Sequence, residues 1–229
     1  MSESSRISID NLWTHNMTAG DGSRAGDNNY LTGPGGSDRK TGPDDVSRNV
    51  FVIYGRDDEA RKAVFDYLLA LRLNPLEWEE LVAATRSTAP SLADVVRKAP
   101  LRARAVVALL TPDDVVHLHP ALRGDGDTAA ERLISCQARP NVFLELGIAL
   151  ATHPSSTIVL QAGLMRETAD LAGLNYIRLD DTPRWRHKVA ERLQSAGCPV
   201  NLSGDWSNPE RSAGLAAFRR TAQDAPRPS

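Results

Sequence analysis

Residues 49–55 read Asn49-Val50-Phe51-Val52-Ile53-Tyr54-Gly55, a continuous apolar run ended by glycine. An alternating strand would show polar residues at every second position, whereas an unbroken run is the pattern of a strand covered on both faces, as in parallel sheets. The next segment, DDEARKAVFDYLLALRL (57–73), places Ala60, Val64, Leu68 and Leu71 at helical spacing behind an acidic first turn. Those acids suit the positive end of a helix dipole, so the pair of segments predicts one strand-helix unit.

The alternation continues along the chain. A short strand is expected around Pro75 to Trp78, a helix near Ser91 to Arg97, and a strand in ARAVVALL (103–110). A helix then begins at Arg139-Pro140-Asn141, followed by a strand in SSTIVLQ (155–161) and a short helix near Glu167 to Leu171. A strand around Asn175 to Leu179 and a helix from Pro183 to Ala196 complete the series. Strands alternating with helices imply a parallel sheet with right-handed crossovers and helices on both faces. Five strands in ~150 residues fit a flavodoxin-like, doubly wound α/β sheet of order 2-1-3-4-5.

Three segments are expected. Residues 1–47 hold seven of the 16 glycines among many Ser, Asp and Asn, so they bury too little to offset chain entropy and read as a disordered leader. Residues 48–202 form the α/β domain. Residues 203–229 turn polar and end in proline, which reads as a short tail with at most a helix around Arg211 to Ala222.

A net charge of -2 gives no electrostatic case for nucleic acid or anionic membrane as a partner. No apolar stretch approaches the ~20 residues of a membrane span, and MSESSRISIDNLW has no apolar signal core, so a cytoplasmic protein is expected. Cys136 and Cys198 are far apart without a CxxC pair, and His117-Leu118-His119 with one distant cysteine lacks the count and spacing of a zinc site; no metal is expected. Serine hydrolase, P-loop and dinucleotide-dehydrogenase motifs do not occur.

Open parallel sheets bind ligands outside the carboxyl ends of their strands. Here those ends are Tyr54-Gly55-Arg56-Asp57, the Glu77-Trp78-Glu79-Glu80 segment with a long loop after it, and Thr111-Pro112-Asp113-Asp114. The helix of ARPNVFLELGIAL (138–150) opens towards the same edge, and Glu145 is the only charge between Asn141 and Leu150. Pro140 near the first helical position and Asn141 as a cap put Glu145 about one turn inside, where the dipole favours an ionised carboxylate. On pattern alone, a salt bridge to Arg56, Arg102 or Arg139 is the commoner explanation of such a glutamate. Gly55 can serve only the strand-to-helix turn, Asp57 only a cap, Asp113 only the next loop, and Trp78 either the core or a ligand ring.

FVIYGRDDEAR, LNPLEW, AVVALLTPDDVVHLHP, QARPNVFLELGIAL and LNYIRLDD together resemble the bacterial TIR-like (Toll/interleukin-1 receptor) domains described as nucleotide-binding and found as effectors in cyclic-nucleotide antiphage systems such as Pycsar. The likeness runs in order over about residues 49–200. It implies a flavodoxin-like fold and hydrolysis of NAD+ at the nicotinamide-ribose bond, with NAD+ as substrate and no cofactor. It also implies that the glutamate of RPNVFLELG, Glu145, is catalytic.

One carboxylate suffices for that chemistry, because nicotinamide leaves as a neutral pyridine and needs no general acid; a glutamate on the ribose diol stabilises the cationic transition state. Arg56 and the amides after Gly55 are then candidates for the pyrophosphate, and Tyr54, Asp57, Trp78, Thr111, Asp113 and Asn141 for the rest of the substrate surface. Related effectors fuse the TIR domain to a recognisable sensor; here control of TIR self-association is expected from the leader, the tail, a separate sensor protein or a cyclic nucleotide. The competing reading is a non-catalytic nucleotide-binding or TIR–TIR scaffold module, which would leave NAD+ intact.

Overall fold

The structure is a computed structural model, and it describes residues 46–224 apart from 86, 100–101, 128, 167–172, 174, 209 and 211–213. The expected leader up to residue 45 and the helix expected at 167–171 therefore lie outside the described residues.

The opening run forms β1 (Asn49–Tyr54), and the segment after it forms α1 (Asp58–Ala70). Then follow β2 (Asn74–Leu76), α2 (Trp78–Thr85), α3 (Leu92–Lys98) and β3 (Ala105–Leu110). A two-stranded excursion comes next, with β4 (Asp114–Val116) and β5 (Ser135–Gln137) on either side of the one-turn α4 (Ala129–Arg132). The chain continues through α5 (Pro140–Thr152), β6 (Thr157–Gln161), β7 (Ile177–Arg178) and α6 (Arg184–Ser195). The five main strands are parallel in the order β2-β1-β3-β6-β7, which is the expected 2-1-3-4-5 order.

Alternation along β1 sends its side chains to two different cores. Val50 and Val52 join Val107, Leu109 and Leu160 under α1 and α6. Phe51 and Ile53 join Val106, Ala108 and Val159 under α2, α3 and α5. All six residues of β3 are buried, which explains why its sequence carries no polar alternation.

Two differences from the sequence reading concern local structure. Trp78 is not the end of a strand followed by a long loop: it opens α2, with Glu79 and Glu80 in the first turn. The β4–β5 pairing was not anticipated, because three-residue strands show too little periodicity.

A third difference concerns the segment after residue 202, expected to trail from the domain. Trp206, Ala217 and Phe218 are instead buried in the α1/α6 core, and Phe218 packs edge-on against Trp185 at 6.2 Å. Aromatic burial holds this polar segment in place. In the region of the expected helix at 211–222, residues 216–218 form a single 3-10 turn.

Candidate functional site

The site is built where β1 and β3 end, since these are the neighbours from which the chain departs in opposite directions, to β2 and to β6. After Tyr54 the chain must turn sharply into α1. Asp57 makes the cap: its backbone is extended, and its Oδ1 accepts from the Ala60 amide at 3.0 Å. Its Oδ2 is buried without a hydrogen bond and faces the Arg220 guanidinium at 3.3 Å.

Beside this turn, the buried Thr111 donates its hydroxyl to Asp113 Oδ1 at 2.9 Å. The Arg56 amide donates to Asp113 Oδ2 at 3.2 Å. The same oxygen stands 1.7 Å from the point a Cβ on Gly55 would occupy. Glycine is therefore required here by the approach of a neighbouring carboxylate. Burial raises the Asp113 carboxyl above its ordinary range, and the Thr111 and Arg56 hydrogen bonds pull it back.

Gly55, Arg56, Asp57, Thr111 and Asp113 are thus brought together. The geometry changes the part expected of the loop amides, since the Arg56 amide is already engaged by Asp113. Its side chain is exposed and forms no ion pair among the described residues, so the guanidinium is the group left for an anionic ligand.

Tyr54 belongs to a neighbouring cluster. Its ring meets Phe65 edge-on at 6.0 Å, with the Arg61 guanidinium 5.4 Å from its centroid. Arg61 also pairs with Glu77 at 2.9 Å. Burial, then the charge of Glu77, raises the Tyr54 hydroxyl. Trp78 is half-buried against Phe51, with ring centroids 6.4 Å apart, and so contributes to the core whatever else it touches.

Glu145 lies on α5, which runs back against the strands of a right-handed crossover and so starts at the same carboxyl edge. Arg139, not Asn141, is the N-cap, and it makes no side-chain cap bond. Pro140 fixes the first helical φ, so Asn141 falls inside the helix, where it is exposed. Val142, Leu146 and Ala149 face the core, placing Glu145 on the flank of the buried face.

None of the three arginines weighed as partners holds Glu145. Arg139 reaches Asp114 instead, at 3.6 Å, and no hydrogen bond or ion pair joins Glu145 among the described residues. The expectation of a low-pKa carboxylate is also overturned: burial pushes Glu145 up to about 7. Five residues from the helix start, about 7.5 Å along the axis, it is beyond the reach of a dipole effect that fades within the first turn, so desolvation wins.

A cleft of about 570 Å3 opens between Pro112 and Asp113, Cys136 of β5 and the segment carrying Arg219, Arg220 and Asp224. Glu145 is not among its walls. Neither this cleft nor the ion pair of Asp57 could be found by reading motifs, because Arg220 lies in the polar C-terminal segment, 163 positions from Asp57. The available signal was Trp206 and Phe218, two aromatics in a segment otherwise suited to solvent. His117 Nδ1 faces the Leu118 carbonyl and His119 Nδ1 accepts from the Ala121 amide, and no metal-holding group of side chains forms among the described residues.

A doubly wound parallel sheet of order 2-1-3-4-5 defines a flavodoxin-like α/β domain. The family described as CAP12/Pycsar effector protein, TIR domain, matches residues 49–181, and the chain belongs to it. The chain is also 28% identical over 160 residues to the uncharacterized protein YuaY of Escherichia coli (strain K12), across 68% of this chain and 48% of that one. It therefore spans about half the length of that curated relative. No helix among the described residues is long and apolar enough to cross a membrane.

Proposed function

We propose that this TIR domain is an NAD+ glycohydrolase that depletes NAD+ as an effector in antiphage defence or regulated cell death, with Glu145 as its catalytic residue. The observation that carries the proposal is the state of Glu145: a half-buried carboxyl on α5, raised to about 7, with no cation to compensate it among the described residues. A carboxylate kept for structure would be paired; one kept for chemistry has its counter-charge supplied by the substrate.

In this scheme the carboxylate takes the ribose diol next to the scissile bond. The C1′–N1 bond breaks, its electron pair passes to the pyridinium nitrogen, and nicotinamide leaves neutral. The ribosyl cation left behind is stabilised by Glu145 in a site of low polarity. Water then adds to C1′ and gives up its proton, for which the carboxylate is a matched acceptor near neutral pH. Arg56 binds the pyrophosphate through its guanidinium, and the Asp113 carboxyl shapes the turn beside it. Self-association through the TIR domain, under a separate sensor protein or a cyclic nucleotide, switches the site on in a cytoplasmic setting.

The test is nicotinamide release from NAD+ by concentrated protein, followed by chromatography, with Glu145→Gln as control. Release that vanishes in the variant while its circular dichroism is unchanged is the expected result, and the same trace separates ADP-ribose from a cyclised isomer. NAD+ left intact at high protein concentration, with crowding agent and candidate cyclic nucleotides present, would favour the scaffold reading.

A further inference from the structure

We infer that Arg220 is a positioning residue for the β1–α1 turn, and that the segment from Leu215 to Asp224 is a working wall of the ligand edge. This segment lies beyond the residues that match the family, so the inference concerns what this chain adds to the domain.

Its contacts reach three loops. Towards β1, Arg220 Nε stands 3.3 Å from the buried Asp57 Oδ2, and its Nη2 stands 3.8 Å from Glu59. The Ala217 amide donates to the same Glu59 carboxylate at 2.9 Å. Towards β6, the Arg220 carbonyl accepts from the Leu164 amide at 2.8 Å. Gly163 sits beneath it at φ +66°, and a Cβ there would meet that carbonyl at 2.8 Å. Towards β7, Arg219 pairs with Asp181, whose other oxygen accepts from the Gly214 amide at 3.0 Å. Phe218 anchors the middle of the segment in the core.

The decisive contact is that with Asp57. One oxygen of this carboxylate caps α1; among the described residues the other has no hydrogen-bond donor and only Arg220 as an ion-pair partner. The cap fixes where α1 begins, and with it where Gly55 and the Arg56 guanidinium stand. Arg220 therefore acts through Asp57 on the residues assigned above to the pyrophosphate, and to that extent the inference rests on the proposed NAD+ reaction.

The test uses the full chain as wild type, Arg220→Lys, Arg220→Ala and the charge-free pair Asp57→Asn with Arg220→Gln. The pair avoids stranding a buried charge and serves if Arg220→Ala fails to fold. Michaelis kinetics with NAD+ should show KM raised about tenfold in Arg220→Ala or the pair, kcat within about twofold, and most of the loss restored by lysine. Hydrogen exchange of residues 54–61, measured without NAD+, should quicken in Arg220→Ala or the pair and stay near wild type with lysine. A lowered melting temperature with wild-type KM and unchanged exchange would overturn the inference and leave the NAD+ reading standing. Absence of NAD+ cleavage in the wild type would sink that reading alone, and the exchange measurement would then decide the role of Arg220.

Discussion

Glu145→Gln should stabilise this protein, and by an amount that depends on pH. In the folded chain burial holds the carboxyl at about 7, against an ordinary value of 4.5. Well below 4.5 both folded and unfolded chains keep the proton and the group costs nothing. Between the two values the unfolded chain releases its proton while the folded chain keeps it, so stability falls as pH rises. Above about 7 the full cost is present: roughly 3 kcal/mol from the separation of the two values, trimmed towards 2 by partial exposure. Glutamine stays neutral throughout and escapes the cost. Urea denaturation of wild type and variant should therefore show an advantage for glutamine that grows by roughly 2 kcal/mol between about pH 5 and about pH 8.5. For a domain of this size that is a rise of ~4–8 °C in melting temperature. A carboxylate held in a buried salt bridge behaves in the opposite way, and its loss costs ~3–5 kcal/mol. A variant less stable than wild type at about pH 8.5, or an advantage that ignores pH, would refute the argument.

The same titration sets the pH profile expected of the proposed reaction. If the ionised form of Glu145 is active, kcat/KM for NAD+ should rise with pH, reach half its plateau near 7 and stay flat above, as measured by nicotinamide release; a profile flat down to about pH 5 would contradict it. Gly55→Ala places a methyl group 1.7 Å from Asp113 Oδ2 and should cost ~1–3 kcal/mol in urea denaturation together with most of the turnover. An unchanged midpoint would mean that Asp113 moves aside freely. Phe218→Ala removes the core anchor of the C-terminal segment and should cost about 3 kcal/mol, with faster proteolysis after residue 202; a melting temperature equal to that of wild type would show that the segment is not docked.

The centre of the sheet was legible because β1, β3 and β6 are buried on both faces. Runs such as those of β1 and β3 have few alternatives, and the spacing of Ala60, Val64 and Leu68 dictates the helix between the first two strands. What escaped lies in contacts between distant segments. Nothing near Asp57 announces Arg220, and the polar surroundings of Trp206 and Phe218 masked their burial. The start of α2 at Trp78 was hidden by a short β2 whose end residues also suit a helix start. For Glu145 the position was readable and the titration was not: helix direction follows from the sequence, whereas desolvation depends on which neighbours surround the flank of α5.

The surroundings of Asp57, Asp113 and Glu145 divide the roles among these three carboxylates. Asp57 has a backbone amide on one oxygen and a guanidinium facing the other, so both of its interactions are spent on structure. Asp113 accepts a hydroxyl and an amide and is committed to the turn around Gly55. Glu145 has neither cation nor hydrogen bond among the described residues. An unpaired, partly buried carboxyl loses stability as it ionises, and the loss is recovered only when something positive arrives. In the proposed reaction the positive charge is first on the pyridinium of NAD+ and moves onto the ribose carbon as nicotinamide departs. A carboxylate set against the ribose, as proposed, gains most as that charge moves towards it, which would favour the transition state over the resting substrate.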